Sequence, residues 1–396
     1  MDSQKWSLPA RGVTLLCFVL NMFDGVNIFT LTYVSPVLQK LYRLNTEAFS
    51  IAFSAGLAGM ALGGLALAPL ADRLGRRPVL LAALLLMGLA MIASAFAADI
   101  VGLSVARLFV GIGIGTLLAS LSALSAGFAP ERYRNMAVGL PQAGYPVGAM
   151  IAGFITAWAL PIYGWQAIFL TAGGLTLGLI PICYALLPEA PEAASPHKYS
   201  IVQAIGGART ATSVRLWICT IGGFMALYFI ASWITKLAIQ AGLPHTQAII
   251  ASACYNGGAV IGTVLVSIAA LRFDIRRSLA VLLVLAAGLF LVFGAGHLSV
   301  AGVLAVSFAI GVTLQGGVNA IYPVTASAYP PEARATGLGW AMGIGRLGAV
   351  LGPIIGGWGL GQGLPLVGVF AMFCAPLLTT AIAANFVKPY EASDRL

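Results

Sequence analysis

GGLALAPLADRLGRRPVL, residues 63–80, is the stretch whose reading decides the fold. One apolar run enters it and another leaves it. Between them stands a short loop with one acid, Asp72, and three arginines, Arg73, Arg76 and Arg77, set around Gly75. Gly63 and Gly64 let two helices approach closely. Asp72 can face the positive end of a helix and pair with a nearby arginine, while the arginines hold the loop on the cytoplasmic side. The pattern G-x(8)-D-R-x-G-R-R between two spans is specific, and its functional reading is conformational gating by Gly64, Asp72, Arg73, Gly75, Arg76 and Arg77, not substrate chemistry.

The rest of the chain repeats this grammar. Of 396 residues, 60 % are hydrophobic and 8 % charged, with mean hydropathy +0.96. A soluble domain carries roughly 45–50 % apolar and about 25 % charged residues. Too little charge is present for a water-soluble surface, which excludes a soluble enzyme, a disordered chain, a coiled coil and a nucleic-acid-binding module. Apolar runs fall at 12–35, 49–71, 79–97, 101–127, 137–160, 166–187, 215–240, 247–270, 278–296, 299–328, 336–358 and 365–387. Each is long enough for a spanning helix of about 20 residues, so an all-α membrane protein of twelve transmembrane helices is expected.

The net charge of +9 belongs to topology, not to nucleic acid. Sixteen of the 21 Lys and Arg lie at the termini or in alternate connections, and the opposite connections hold Lys40 and Arg43, with Lys236 near a helix end. The positive-inside rule then places both termini in the cytoplasm, which requires an even number of spans. The N-terminal run has no small-residue cleavage site at its end and reads as a first span, not a signal peptide. Cys17, Cys183, Cys219, Cys254 and Cys374 are scattered through apolar stretches, with neither disulfide nor zinc spacing. No GxxxxGKS loop is present, so no ATP-driven step and no cofactor is expected. His197, His245 and His297 fall in the linker or at the outer edge and carry no role.

The longest polar interruption lies at mid-chain. It divides the chain into an N-terminal six-helix half, 1–187, a cytoplasmic linker, 188–214, and a C-terminal six-helix half, 215–396. The halves echo each other at an offset near 200. Pro130, Arg134, Gly139 and Gly148 correspond to Pro330, Arg334, Gly339 and Gly348; Gly63, Arg73 and Arg77 correspond to Gly262, Arg272 and Arg276. The copy of the arginine loop has decayed, with Leu271 where an acid would match Asp72. Six helices return a chain to the same side, so such repeats are parallel, the architecture of major facilitator transporters around a central site.

Eleven of the 12 acids sit in loops, tails or helix ends. The exception is Asp24, near mid-depth of the first run, and an ionisable group there is a functional candidate. Asn21, Asp24 and Asn27 recur at i, i+3 and i+6 as one polar stripe, aimed at a cavity. Arg107 in the fourth run and Arg346 in the eleventh are also intramembrane. A guanidinium keeps its proton and offers a planar fork matched to a carboxylate. One acid and two permanent cations leave surplus positive charge, which an anionic substrate neutralises. Gln315, Asn319 and Tyr322 share one face of the tenth run, Tyr228 and Trp233 lie on the seventh, and Gln142 and Tyr145 on the fifth. They read either as interhelical hydrogen-bond glue or as the lining of a cavity. GAVLGPIIGG (348–357) reads as close packing and a Pro hinge, although its pattern is often associated with drug antiporters.

Several pieces resemble the aromatic acid:proton symporter subfamily of the major facilitator superfamily: FDGVNIFTLTYVSPVL (23–38), ARLFVGIGIG (106–115), WITKLAIQAGL (233–243), YNGGAVIGT (255–263) and YPPEARATGLGWAMGIGRLGAVLGPIIGG (329–357). The resemblance implies the major facilitator fold and proton-coupled import of a small organic anion, a benzoate-like carboxylate, across the inner membrane. It implies proton coupling at Asp24 with Arg107 and substrate binding at Arg346; the polar residues Asn27, Gln142, Tyr145, Tyr228, Trp233, Gln315, Asn319 and Tyr322, read from their own positions, are the further candidates for the substrate site. This chain departs from that pattern at Asn27, where the subfamily has a second Asp, and at Gly127, where it often has Glu. The alternative within transport is a proton-coupled antiporter exporting hydrophobic compounds.

Overall fold

A computed structural model describes residues 8–67, 74–128, 140–187, 210–270, 272–295, 298–330, 334–387 and residue 390. Asp72, Arg73, Leu271 and the linker up to residue 209 lie outside the described residues. The described chain is helical, with α1 Leu8–Leu41, α2 Thr46–Leu62 running into a π turn at Gly63–Leu67, α3 Arg76–Ala95 and α4 Ile100–Phe128. A continuous stretch, Gly144–Leu186, follows; it breaks at Gly164, whose φ of 76° and ψ of 173° are not helical. At 1.5 Å per residue this stretch is twice as long as a bilayer requires, so it supplies two spans, α5 (144–163) and α6 (165–186). Positive φ is cheap only without a Cβ, so the turn between them needs no more than Gly164.

Then come α7 Thr210–Gln240, α8 His245–Ala269, α9 Ile275–Gly294, α10, α11 Arg334–Gly361 and α12 Leu366–Asn385. Helix α10 runs from Val300 to Ser327 through a π turn at Gly311–Gln315. Among the described residues, eleven stretches are long and apolar enough to cross a membrane, and because one of them divides at Gly164 they make the twelve expected crossings. Helix α1 runs on to Leu41, past the end of its apolar run, so Lys40 stands in its last turn and not in a loop. Helix α7 begins at Thr210, inside the expected linker.

The chain divides into two compact units, Met1–Asn45 with Ile51–Ala194, and Thr46–Ser50 with Ser195–Leu396. Within each the same helices pair. In the first, α1 packs on α5, α3 on α4 and on α6, and α4 on the π turn after α2. In the second, α7 packs on α11, α8 on α10, and α9 on α10 and on α12. The repeat extends to single contacts. A Cβ on Gly148 would lie 1.8 Å from the Met22 carbonyl oxygen, and one on Gly348 would lie 2.0 Å from that of Ile221. Gly63 and Gly262 stand in the same relation to the carbonyls of Ile112 and Val312, at 2.1 and 2.2 Å. Helices in lipid gain little from apolar burial and associate through such close backbone approach. Gly64 does not share this role, since its nearest neighbour, the Gly115 carbonyl oxygen, is 3.6 Å from the added Cβ.

Candidate functional site

In the first unit the polar stripe of α1 is wholly buried, with Asn21, Asp24 and Asn27 at 1 %, 0 % and 0 % exposure. Asp24 stands at the middle of α1. Beside it, Gly25 lies so close to α5 that a Cβ would fall 1.9 Å from the Tyr145 carbonyl oxygen, which closes α5 over this level of α1. The stripe meets other helices of its own unit. Asn21 Nδ2 donates to the Pro141 carbonyl at 2.8 Å, and Asn27 Nδ2 to the Thr176 hydroxyl at 3.1 Å. Both carboxylate oxygens of Asp24 lack a hydrogen-bond partner among the described residues, as do the Oδ1 atoms of Asn21 and Asn27.

Arg107 reaches α1 from α4 but does not meet Asp24. Its Nη2 donates to the Asn27 backbone carbonyl at 2.8 Å, and its Nη1 approaches Met91 Sδ at 3.1 Å. The guanidinium is held one helical turn from the acid it was expected to pair. Tyr145 is half-buried with its ring edge-on to Phe29 at 6.0 Å, and Gln142, two residues before α5, is exposed.

In the second unit Arg346 of α11 donates through Nη1 to the Tyr228 hydroxyl of α7 at 2.9 Å. Its guanidinium carbon lies 5.7 Å from the centre of the Phe224 ring, and Phe224 and Tyr228 pack edge-to-face at 6.1 Å. An arginine is thereby oriented by a phenol and flanked by an aromatic face. Tyr322 of α10 is 40 % exposed and lies within electrostatic range of Arg346 and Tyr228. On the same helix Gln315 Nε2 donates to Asn319 Oδ1 at 3.1 Å, and Asn319 Nδ2 donates to Thr263 of α8 at 2.8 Å. Trp233 has no exposure, and its indole N–H donates to the Pro353 carbonyl at 3.0 Å, tying α7 to α11. Phe224 and Thr263 were missed by the sequence reading. The i, i+4 spacing of Phe224 and Tyr228 was the signal available for the first.

The arginine loops also follow the repeat. Arg77 donates to the Tyr184 carbonyl at the end of α6 and lies 4.3 Å over the Tyr184 ring. Arg276, its counterpart, donates to the Val387 carbonyl after α12 at 3.0 Å. Arg276 also pairs with Asp274 at 2.8 Å, so the second loop carries an acid three positions beyond Leu271. That hydrogen bond from Arg276 holds the Asp274 carboxyl below the usual carboxylate range. Each arginine meets the negative end of a helix dipole. Gly75, with φ 88°, caps α3.

Among the described residues, twelve helices in two repeated units, with an intramembrane arginine in each, buried in the case of Arg107 and half-buried in that of Arg346, define a membrane transporter. The chain belongs to the Major Facilitator Superfamily, whose profile matches residues 15–322 and 216–395. It is 30 % identical to a gallate transporter of Pseudomonas putida, over 94 % of this chain and 90 % of that protein. It is 31 % identical to a 3-(3-hydroxy-phenyl)propionate transporter of Escherichia coli, over 93 % and 91 %, and 29 % identical to a 4-hydroxybenzoate transporter of Pseudomonas aeruginosa, over 96 % and 94 %. Among solved structures it resembles a bacterial homologue of the human lysosomal transporter Spinster, with TM-score 0.76 at 19 % identity, over 96 % of this chain and 97 % of that one.

Proposed function

We propose that this protein imports an aromatic carboxylate together with protons across the bacterial inner membrane, with both termini in the cytoplasm. The observation that carries the reading is Arg346 bonded to Tyr228 and flanked by the Phe224 ring. A guanidinium fork matches a carboxylate, and an aromatic wall beside it suits a ring. Transport of gallate, hydroxyphenylpropionate and 4-hydroxybenzoate by the relatives supports the same chemistry. Tyr322 completes the carboxylate end in the second half, and within the first half Tyr145 and Gln142 are the candidate substrate contacts. Asn27 and Trp233, both buried and bonded within their own halves, support it as packing residues.

Asp24 carries the proton. It is the acid at the middle of a span, and no cation or donor among the described residues holds it in one state. Arg107 is a positioning residue: its bond to the Asn27 carbonyl leaves the guanidinium one turn from Asp24, close enough to meet the carboxylate in another state of the cycle. Asp72 and its arginines gate the cycle, with Arg77 clasping the end of α6. The test is a thermal-shift screen of the purified protein against aromatic and aliphatic carboxylates at two pH values. Stabilisation by aromatic acids is the expected result; stabilisation by aliphatic acids alone would refute the substrate class.

A further inference from the structure

Gln315 closes the π turn of α10, and π turns inside α-helices concentrate at functional sites. The hydrogen bonds beyond it have a fixed direction. The Thr263 hydroxyl donates to the Ala259 carbonyl of its own helix at 2.8 Å, so its oxygen is left to accept from Asn319 Nδ2. Asn319 Oδ1 then accepts from Gln315 Nε2. This chain of bonds sets the orientation of both amides, and it leaves the Gln315 Oε1 acceptor and a second N–H on each amide. Interhelical glue accounts for Asn319, which reaches α8. It does not account for Gln315, which bonds to its own helix alone among the described residues.

Both amides are half-exposed. Amide edges at membrane depth face a polar path and not hydrocarbon. Asn319 and Gln315 stand ~4.5 Å and ~10 Å along the helix from Tyr322, the scale of one substituted ring. A phenolic hydroxyl both donates and accepts. It can give its proton to Gln315 Oε1 and accept from an amide N–H, whereas an unsubstituted ring offers neither.

We propose that Gln315 and Asn319 are specificity-determining residues that read a hydroxyl on the ring of the transported acid. The inference rests on the aromatic-carboxylate reading. A site built to bond a hydroxyl discriminates against the analogue lacking it. For one neutral hydrogen bond at a half-exposed amide, the expected discrimination is about 10-fold.

The test measures dissociation constants of benzoate, 3-hydroxybenzoate, 4-hydroxybenzoate and 4-methoxybenzoate for the full-length protein in detergent. One of the hydroxybenzoates should bind about 10-fold tighter than benzoate, with the methyl ether losing the advantage. Gln315→Met should erase that advantage by weakening the hydroxybenzoate far more than benzoate, with circular dichroism reporting that the variant is folded. Thr263→Val, which frees Asn319 to turn, should erase part of it. An advantage that survives Gln315→Met, or an equal loss for benzoate, would overturn the proposal. So would wild-type protein that binds all four acids alike, with the substrate reading left standing. Binding of none of them would overturn both.

Discussion

Arg346→Lys separates the charge of the candidate anion site from its geometry. Lysine keeps the positive charge but presents a point ammonium where arginine presents a planar fork. In the structure the arginine is held by the Tyr228 hydroxyl at 2.9 Å and lies 5.7 Å from the Phe224 ring. A carboxylate bound by that fork makes two charge-assisted hydrogen bonds, and lysine reproduces one. Each such bond contributes ~1.5–3 kcal/mol, so the dissociation constant of an aromatic acid should rise about 10- to 150-fold. Arg346→Ala should raise it further, and Tyr228→Phe, which leaves the fork but frees its orientation, by about 5-fold. Calorimetric titration of the purified variants, with circular dichroism to confirm folding, measures these values. Unchanged affinity in Arg346→Ala would refute the assignment. Phe224→Ala should weaken aromatic acids more than aliphatic ones, and a loss that is equal for both would refute the role of the aromatic flank.

Three further outcomes are expected. Gly148→Val places carbon against the Met22 carbonyl, where even a Cβ would lie 1.8 Å away; separating α5 from α1 should cost at least ~1–3 kcal/mol, read as a lower melting temperature in detergent, and an unaltered melting temperature would contradict the packing. Trp233→Phe removes the bond to the Pro353 carbonyl and should lower stability by ~1 kcal/mol without changing substrate affinity, so a matching loss of affinity would put Trp233 at the site. Asp72→Asn should slow uptake while equilibrium binding stays nearly unchanged, and a parallel loss of binding would contradict a gating role.

What was legible in the sequence was whatever charge could mark. In a chain with 12 acids, Asp24 stands out because a carboxyl is rare at mid-span. Arg346 stands out for the same reason, and the arginine loop shows both topology and repeat. Partners were not legible. Arg107 lies on the right helix and at the right depth to meet Asp24, yet its side chain settles on the Asn27 carbonyl one turn away, because a buried guanidinium donates to any well-placed oxygen. Trp233 has the same apolar character whether it lines a path or fills a helix crossing, and its bond to the Pro353 carbonyl is visible only in the fold. Phe224 and Thr263 carry no charge and merge with their apolar runs. The apolar runs end at 160 and resume at 166, yet the break between α5 and α6 is made by Gly164 alone. Spans and halves follow from hydropathy and charge, whereas hydrogen-bond pairing depends on side-chain reach in three dimensions.

The central claim is that Asp24 couples protons to the uptake of an aromatic acid, and Asp24→Asn in proteoliposomes tests it most directly. Asparagine is nearly isosteric and permanently neutral, and with Asn27 already neutral α1 has no second carboxyl to substitute. Uptake under an imposed pH gradient is measured beside counterflow exchange without one. The account predicts that the variant loses gradient-driven accumulation but retains substrate binding and counterflow, since neither requires release of a proton. Substrate that is still concentrated by Asp24→Asn when the gradient is applied would contradict it.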